Sequence, residues 1–367
     1  MLWTPLEIIP KKSLGIDIGT SSIKIVELSR RGERRKLENY GEIAASVLYQ
    51  KPFRTFDKST LLLSSQDVSR SIKAVMEEAK IKTRRTIFSI PDFSSFFTSF
   101  ELPPMTKAEL PQAVRYEASH HVPLPLAEVT LDWQVIEGRV SDQKKTKLKI
   151  LLVAVPNEVI NQYRKIAEIS KLELLALEAE VFGFLRSLIG RHPPVTPEKK
   201  VVLLVDIGAQ STTCSIVDKS RLKMSYSFDM SGNELTKVIS KGLGVDYKTA
   251  ENLKEKYGIM STPSQKDPAP EVREILLPLI DVILKEIEKI SQNFYQIEGK
   301  EIQKIILAGA SALLPGLKEY FQNHFKKEIE ITNPFSNLFC PPILEKTLKE
   351  MGSSYAIAVG VALRGLE

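Results

Sequence analysis

The order of apolar and polar residues repeats itself half a chain apart. Leu14-Gly15-Ile16-Asp17-Ile18-Gly19-Thr20-Ser21-Ser22-Ile23-Lys24-Ile25-Val26 returns as Leu204-Val205-Asp206-Ile207-Gly208-Ala209-Gln210-Ser211-Thr212-Thr213-Cys214-Ser215-Ile216-Val217. Each copy is an apolar strand, an Asp-x-Gly, a hydroxyl-rich turn and a second strand. More strand-like sequence follows at 36–44 and 221–229, so both halves open with a predicted three-strand meander. A repeat of this kind predicts two related lobes.

Between the copies, apolar residues at 68, 72, 75, 76 and 79 predict a helix over 67–79, and 86–90 predicts a strand. From 93 to 172 the pattern becomes strand (96–102), helix (106–121), strand (129–137), strand (148–155) and helix (157–170), an inserted α+β subdomain. Its first helix opens with the capping-box pattern Thr106-x-x-Glu109, yet Pro111 would cost a hydrogen bond or delay the start. The sequence leaves that conflict open. Residues 191–200, with Pro193, Pro194 and Pro197, predict the linker between the lobes. The second half predicts helices at 232–239 and 247–256, a polar loop at 261–270, and a long helix at 272–297. A strand at 304–307, a helix from about 317 and a last helix at 353–363 follow. The resulting division is 1–92 for the N-terminal part of the first lobe, 93–172 for the insertion, 173–198 for the return to the first lobe and the linker, and 199–367 for the second lobe.

Composition narrows the classes. With 43% hydrophobic, 26% charged and 7% aromatic residues, the chain has ordinary soluble composition. Apolar runs such as 150–155 and 201–205 fall far short of the roughly 18 residues that span a bilayer. The first twelve residues carry Glu7, two prolines and lysines on the wrong side of the apolar piece for a signal peptide. The two cysteines, Cys214 and Cys340, offer no disulfide or metal framework, which fits a reducing cytoplasm. Fifty-one basic against 45 acidic residues leave a net charge of +6, spread too widely to argue for nucleic acid. Two basic clusters, Arg30-Arg31 with Arg34-Arg35-Lys36 and Lys144-Lys145 with Lys147 and Lys149, lie at expected hairpin turns. They read as solvated tips in preference to lipid or acidic-partner contacts. His120 and His121 are adjacent on a helix and cannot face one metal.

The candidate chemistry sits in the repeat. A phosphate chain needs backbone N–H groups aimed at its oxygens, and a tight turn of Gly, Ser and Thr supplies them. The turn Asp17, Gly19, Thr20, Ser21, Ser22 and the turn Asp206, Gly208, Gln210, Ser211, Thr212 could grip one polyphosphate from two sides. Asp17 and Asp206 would then hold Mg²⁺ through waters, and Lys24 would add a positive charge if its side chain faces the cleft. A single Asp-x-Gly is usually a hairpin turn; two in matching contexts favour the ligand reading. The small residues of Ala308-Gly309-Ala310-Ser311 could let a flat base approach the backbone, or could simply pack a helix on a sheet. Glu251 and Lys254 share a helix face, and spacing alone favours a surface ion pair.

Taken together, the chain resembles the actin-like ATPase superfamily and, within it, the PilM family of cytoplasmic type IV pilus assembly proteins. Beyond the paired turns, the resemblance rests on Tyr116-Glu117-Ala118 with Val122-Pro123-Leu124-Pro125, on Val153-Ala154-Val155-Pro156, on Asn333-Pro334-Phe335, and on the ending Tyr355-Ala356-Ile357-Ala358-Val359-Gly360-Val361-Ala362-Leu363-Arg364-Gly365-Leu366. It implies a two-lobed actin-like α/β fold whose first lobe carries an inserted α+β subdomain like that of the division protein FtsA. It further implies that both turns bind the phosphates of ATP with Mg²⁺, that Gly232, Glu251 and Lys254 meet ribose and base, and that Gly309 and Ser311 lie under the adenine or its neighbouring phosphate. Glu180 matches a position near the attacking water, although a carboxylate satisfied by the dipole of its own helix is an equal reading. The family's Gly-Gly-Gly is replaced by Ala308-Gly309-Ala310, which implies weaker nucleotide binding.

The resemblance also implies a partner: the N-terminal cytoplasmic tail of a PilN-like membrane protein, held in a groove between the first lobe and the insertion. That groove is expected near strand 96–102 and the helix carrying Arg115, Tyr116 and Glu117. The expected role is a cytoplasmic ATP-binding adaptor at the inner face of the membrane, attached through partners and working with other pilus assembly proteins. At most it is a slow ATPase, with homo-oligomerisation left open and no nucleic-acid partner. Alternatives are a small-molecule kinase on the same fold, which needs a catalytic base that no segment plainly supplies, and a filament-forming FtsA-like protein. A type II secretion relative would normally continue into a transmembrane helix.

Overall fold

The computed structural model describes residues 10–44, 56–57, 60–61, 64–138, 146–189, 200–260 and 269–367. The first half supplies β1 (Lys11–Ile18), β2 (Ser22–Arg31), β3 (Arg34–Ala44), the short pair β4 (Phe56–Asp57) and β5 (Thr60–Leu61), α1 (Ser65–Glu78) and β6 (Arg85–Ile90). The stretch expected to be the insertion contains β7 (Phe96–Leu102), α2 (Leu110–His121), β8 (Val129–Glu137), β9 (Leu148–Pro156) and α3 (Asn157–Ser170), of which α3 packs in the core of the first sheet and not in that of β7–β9. β10 (Glu173–Ala179) and α4 (Glu180–Ile189) follow. The second half runs β11 (Val201–Ile207), β12 (Thr212–Asp218), β13 (Arg221–Phe228), α5 (Gly232–Leu243), α6 (Tyr247–Tyr257), α7 (Ala269–Glu298), β14 (Lys304–Ala308), α8 (Leu317–Phe325), β15 (Glu328–Ile331), α9 (Glu345–Met351) and α10 (Ala356–Arg364).

The internal repeat extends to whole sheets. One sheet has the order β10-β6-β1-β2-β3 and the other β13-β12-β11-β14-β15. In each, an antiparallel meander continues into two parallel strands on the side of its first member. β1 and β11 are buried almost throughout, as central strands with helices on both faces must be. The third sheet, β7-β9-β8, is antiparallel and carries α2 on one face.

Helices α4 and α10 pack between the lobes. Val181, Phe184, Leu185, Ala356 and Ile357 share a core with Val202, Leu204 and Ile306 of the second sheet. Both helices are thin where they cross: a Cβ on Gly360 would fall 1.7 Å from the carbonyl oxygen of Gly183. Only two glycines allow so close an approach.

Three local differences from the sequence reading have physical causes. α2 begins at Leu110, not Thr106, because Pro111 is accommodated as the second helical residue, where its missing N–H is not needed. Thr106 and Glu109 still bond to each other, as a turn ahead of the helix. The last helix begins with a 3₁₀ turn over Gly352–Tyr355. Nothing in the composition of β10, with seven residues, or β15, with four, forces a strand; the parallel sheets recruit them as edges. Most of the predicted linker at 191–200, most of the loop at 261–270, Lys144 with Lys145, and residues 1–9 lie outside the described residues.

Candidate functional site

The two Asp-x-Gly turns have one geometry and line one cavity. The Gly19 N–H donates to the Ser22 carbonyl at 3.0 Å, and the Gly208 N–H donates to the Ser211 carbonyl at 3.0 Å. Antiparallel pairing forces both turns, since Ile18 opposes Ile23 and Ile207 opposes Thr212. The cavity wall includes Asp17, Gly19, Thr20, Ser21 and Lys24 from one lobe, and Asp206, Gly208, Gln210, Ser211 and Gly309 from the other. Two of the expected side chains do not reach it. Thr212 is fully buried and donates to the Met230 carbonyl at 2.6 Å, leaving Thr213 in the wall, and Ser22 instead accepts a 2.7 Å bond from Lys24 Nζ. Lys24 is itself buried, with Glu42 at 3.5 Å.

Three carboxylates, Asp17, Glu180 and Asp206, line the cavity, and a fourth, Asp92, stands behind Glu180. Asp17 accepts a 2.7 Å bond from Ser89 Oγ. Asp92 and Glu180 hold each other: the Asp92 N–H donates to Glu180 Oε2 at 3.2 Å, and the Val181 N–H donates to Asp92 Oδ1 at 3.2 Å. Burial raises all four, and their mutual repulsion adds to it for Glu180, Asp92 and Asp206. Asp92 is pushed to about 8, with Asp206 contributing. Asp206 is pushed to about 7, with Asp17 contributing against the pull of Lys24. Glu180 lies well above the usual carboxylate range, raised further by Asp17, Asp92 and Asp206. Asp17 is raised by burial and partly restrained by Lys24. Several acids sharing a site in this way create a strong field for a cation.

The residues therefore fit Mg²⁺ and a polyphosphate. Among the described residues no three acidic, His or Cys side chains stand close enough to chelate an ion directly, so Asp17 and Asp206 would act through the water shell that Mg²⁺ keeps. The buried Ser353 hydroxyl, in the same wall, has no hydrogen-bond partner among the described residues.

A neighbouring cavity of about 320 Å³ shares Ser21, Ala209, Ala310 and Ser354 with the first and is lined by Gly232, Glu251, Lys254 and Ser311. Here the surface ion pair favoured by spacing is corrected. Lys254 is buried, 2.8 Å from Glu251, and also donates to Thr236 Oγ1 at 2.8 Å and the Gly232 carbonyl at 3.2 Å. The start of α5 is bonded to the second turn, Gly232 N–H to the Gly208 carbonyl at 2.9 Å. Gly309 has φ +85°, and a Cβ there would lie 2.3 Å from the Ile207 carbonyl oxygen and 2.7 Å from Asp206 Oδ1. The two alanines beside it differ: Ala308 is buried in β14, whereas Ala310 is exposed between the cavities.

A third cavity, about 630 Å³, lies between the insertion and the first lobe. Trp133, Leu151 and Val153 line one wall; Phe182, Arg186 and Arg35 line the other. Along β9, Ile150 and Leu152 face α2 while Leu151 and Val153 face this groove. α2 is thus on the opposite face of the sheet. The structure does not bring Arg115, Tyr116 and Glu117 to the groove; Tyr116 is 69% exposed on the outer side of α2, edge-on to His120.

Sequence reasoning missed Asp92, Ser89, Glu42 and Ser353. Asp92 had a signal: an acid two residues past a buried parallel strand stands where α/β sheets collect their sites.

Comparison with known proteins follows this geometry. A family model described as type IV pilus assembly protein PilM matches residues 15–366. The solved PilM-PilN type IV pilus biogenesis complex is similar in fold, with a TM-score of 0.83 at 23% identity, covering 97% of this chain and 98% of that one. MreB5 of Spiroplasma citri bound to AMPPNP gives 0.55 at 12% identity, over 96% of this chain and 95% of that one. The cell division protein FtsA of Staphylococcus epidermidis is 23% identical over 241 residues, 60% of this chain and 51% of FtsA, so the matched part of the chain spans about half the length of that relative. No helix among the described residues is long and apolar enough to cross a membrane. On the match over nearly its whole length, the chain belongs to the PilM family of type IV pilus assembly proteins.

Proposed function

We propose that this protein is an ATP-binding adaptor of the pilus assembly complex that holds the N-terminal cytoplasmic tail of a PilN-like membrane protein. The observation that carries the reading is that two matched turns and three carboxylates, Asp17, Glu180 and Asp206, line one cavity, which continues into a pocket of nucleoside size. Asp17 and Asp206 would hold Mg²⁺ through water, Lys24 would face the phosphates, and Gly232, Glu251, Lys254, Gly309 and Ser311 would surround the nucleoside. Bound Mg²⁺ would supply charge neutralisation along the phosphates. Glu180 lines the same cavity and would orient a water beside the phosphates, its direction held by its bonds with Asp92.

The groove between β8, β9 and α4 is the seat we assign to the tail, supported by the fold likeness to a complex containing PilN. β8 connects it to the second lobe: Asp132 and Gln134 line the groove, and Glu137 pairs with Lys223 of β13. Lobe movement on ATP binding would pull on the same strand that forms the groove wall, provided that ATP prefers one lobe arrangement.

Calorimetric titration with Mg-ATP, then with the tail peptide, tests both parts, with an Asp17→Ala, Asp206→Ala variant beside the parent. Nucleotide binding lost in the variant, and peptide affinity that changes with nucleotide, are the expected results. Peptide binding with no ATP binding would reduce the protein to a scaffold, and failure of the peptide to bind would remove the adaptor role.

A further inference from the structure

The tip of the β2–β3 hairpin and a segment three hundred residues later form one surface patch. Phe339 pairs alongside β3, its N–H donating to the Arg35 carbonyl at 2.9 Å while its carbonyl accepts from the Leu37 N–H at 3.1 Å. This holds Phe339-Cys340-Pro341-Pro342-Ile343 against the basic hairpin. The apolar side chains then point outward: Phe339 is 48% exposed and Ile343 88% exposed. Exposure of that degree on an isoleucine, in a rigid Pro-Pro segment that already anchors Leu338 in the core, is not explained by folding. Around these apolar groups the charge is positive. Arg34 lies over the Phe339 ring with its guanidinium carbon 3.8 Å from the centroid; Arg31 is exposed beside it, and Lys346 follows Ile343 on α9. On α9, Glu345 and Glu350, the latter 3.9 Å from Lys346, offset the lysines, so the basic excess lies on the hairpin, where Arg30, Arg31, Arg34, Arg35 and Lys36 stand against Glu33 and Glu38.

We propose that this patch docks directly on an anionic membrane surface, with Phe339 and Ile343 entering the interface and Arg31, Arg34 and Lys346 facing lipid headgroups. Apolar side chains ringed by basic ones suit such a boundary, where a few residues give weak, reversible binding and a second tether makes it stable. The second tether is at hand, since Arg35 stands both on this hairpin and in the wall of the groove assigned to the tail of a membrane protein. Docking here would present that groove edge-on to the bilayer from which the tail emerges. The inference replaces the expectation of solvated hairpin tips and purely indirect attachment, and it is independent of nucleotide and of the tail.

The test is flotation of the full chain with vesicles of phosphatidylglycerol in phosphatidylcholine, and with phosphatidylcholine alone, in the absence of nucleotide and peptide. We expect the chain to float with the anionic vesicles at low salt and to be released at high salt. Arg31→Ala with Arg34→Ala should lower partitioning roughly thirtyfold, at about 1 kcal/mol per basic residue. Ile343→Ser, at a position too exposed to affect folding, should lower it roughly tenfold. A parent chain that never floats overturns the proposal and leaves the patch to an acidic protein surface. Flotation that either variant leaves unchanged also overturns it, because the binding site is then elsewhere or the apolar residues take no part.

Discussion

Replacing Asp206 with Asn tests whether the carboxylates of the cleft floor strain the ligand-free protein. The Asp206 carboxyl is raised from its ordinary 3.8 to about 7, chiefly by burial and then by Asp17. The folded protein therefore holds this proton more tightly than the unfolded chain does. The stability it contributes is fully present below the unfolded value and is lost as pH rises through about 7. At about 1.4 kcal/mol for each pH unit, the ionised group destabilises the protein at pH 8 by up to about 4 kcal/mol. Because the side chain is not fully buried, water screening brings the expected figure to about 2 kcal/mol. Asn keeps the shape and removes the charge. Ligand-free Asp206→Asn should therefore unfold about 2 kcal/mol later than the parent at pH 8, a rise of a few degrees in Tm, with the difference shrinking toward pH 5. Mg-ATP should raise the Tm of the parent and not that of the variant. Scanning calorimetry at both pH values, with and without Mg-ATP, reads all of this. A variant no more stable than the parent at pH 8, or stabilised equally by Mg-ATP, would refute the reasoning.

Other perturbations should separate structure from binding. Gly309→Ala puts a methyl against the Ile207 carbonyl and Asp206 at a φ of +85°, and should lower stability by about 2 to 3 kcal/mol and abolish Mg-ATP binding in calorimetry. Ala308→Gly removes a buried methyl from the cavity wall; a urea midpoint should show a loss of about 1 kcal/mol. Ala310→Gly should leave stability within about 0.5 kcal/mol and raise Mg-ATP affinity roughly fivefold, the equivalent of about 1 kcal/mol. Glu178, buried between Arg186 and Arg364 at 2.5 and 2.9 Å, leaves Arg364 without its carboxylate and Arg186 with Glu367 alone when changed to Gln. That variant should lose about 3 kcal/mol in urea unfolding.

Much of the fold was legible because its signals are local or repeated. The paired turns announce themselves by sequence alone, and apolar periodicity marks most helices. What was not legible depends on distant residues meeting. β15 has four residues and becomes a strand because β14 offers it an edge. Lys254 looks like half of a surface pair until Gly232 and Thr236 close over it. A cavity does lie between lobe and insertion, and Arg115, Tyr116 and Glu117 are not in its wall, since the pattern of α2 does not say which side of β9 it covers. Asp92 joins the site through its bonds to Glu180 and Val181, 88 and 89 residues away.

The crossing of Gly183 and Gly360 has a mechanical consequence. Side chains that interlock between helices can yield by changing rotamers, whereas backbone seated on backbone has none to change. Both helices also sit on the first sheet: Gly15 of β1 lies against the backbone of Ala358 and Ala362, and α4 follows directly from β10. The crossing therefore clamps α4 to the first lobe as one stiff piece. Glu180 lies three residues from Gly183, less than one helical turn, so its carboxylate is held with the Asp17 side of the cleft. A movement of the second lobe would carry Asp206 and the Gly208 turn toward or away from a carboxylate that stays where it is.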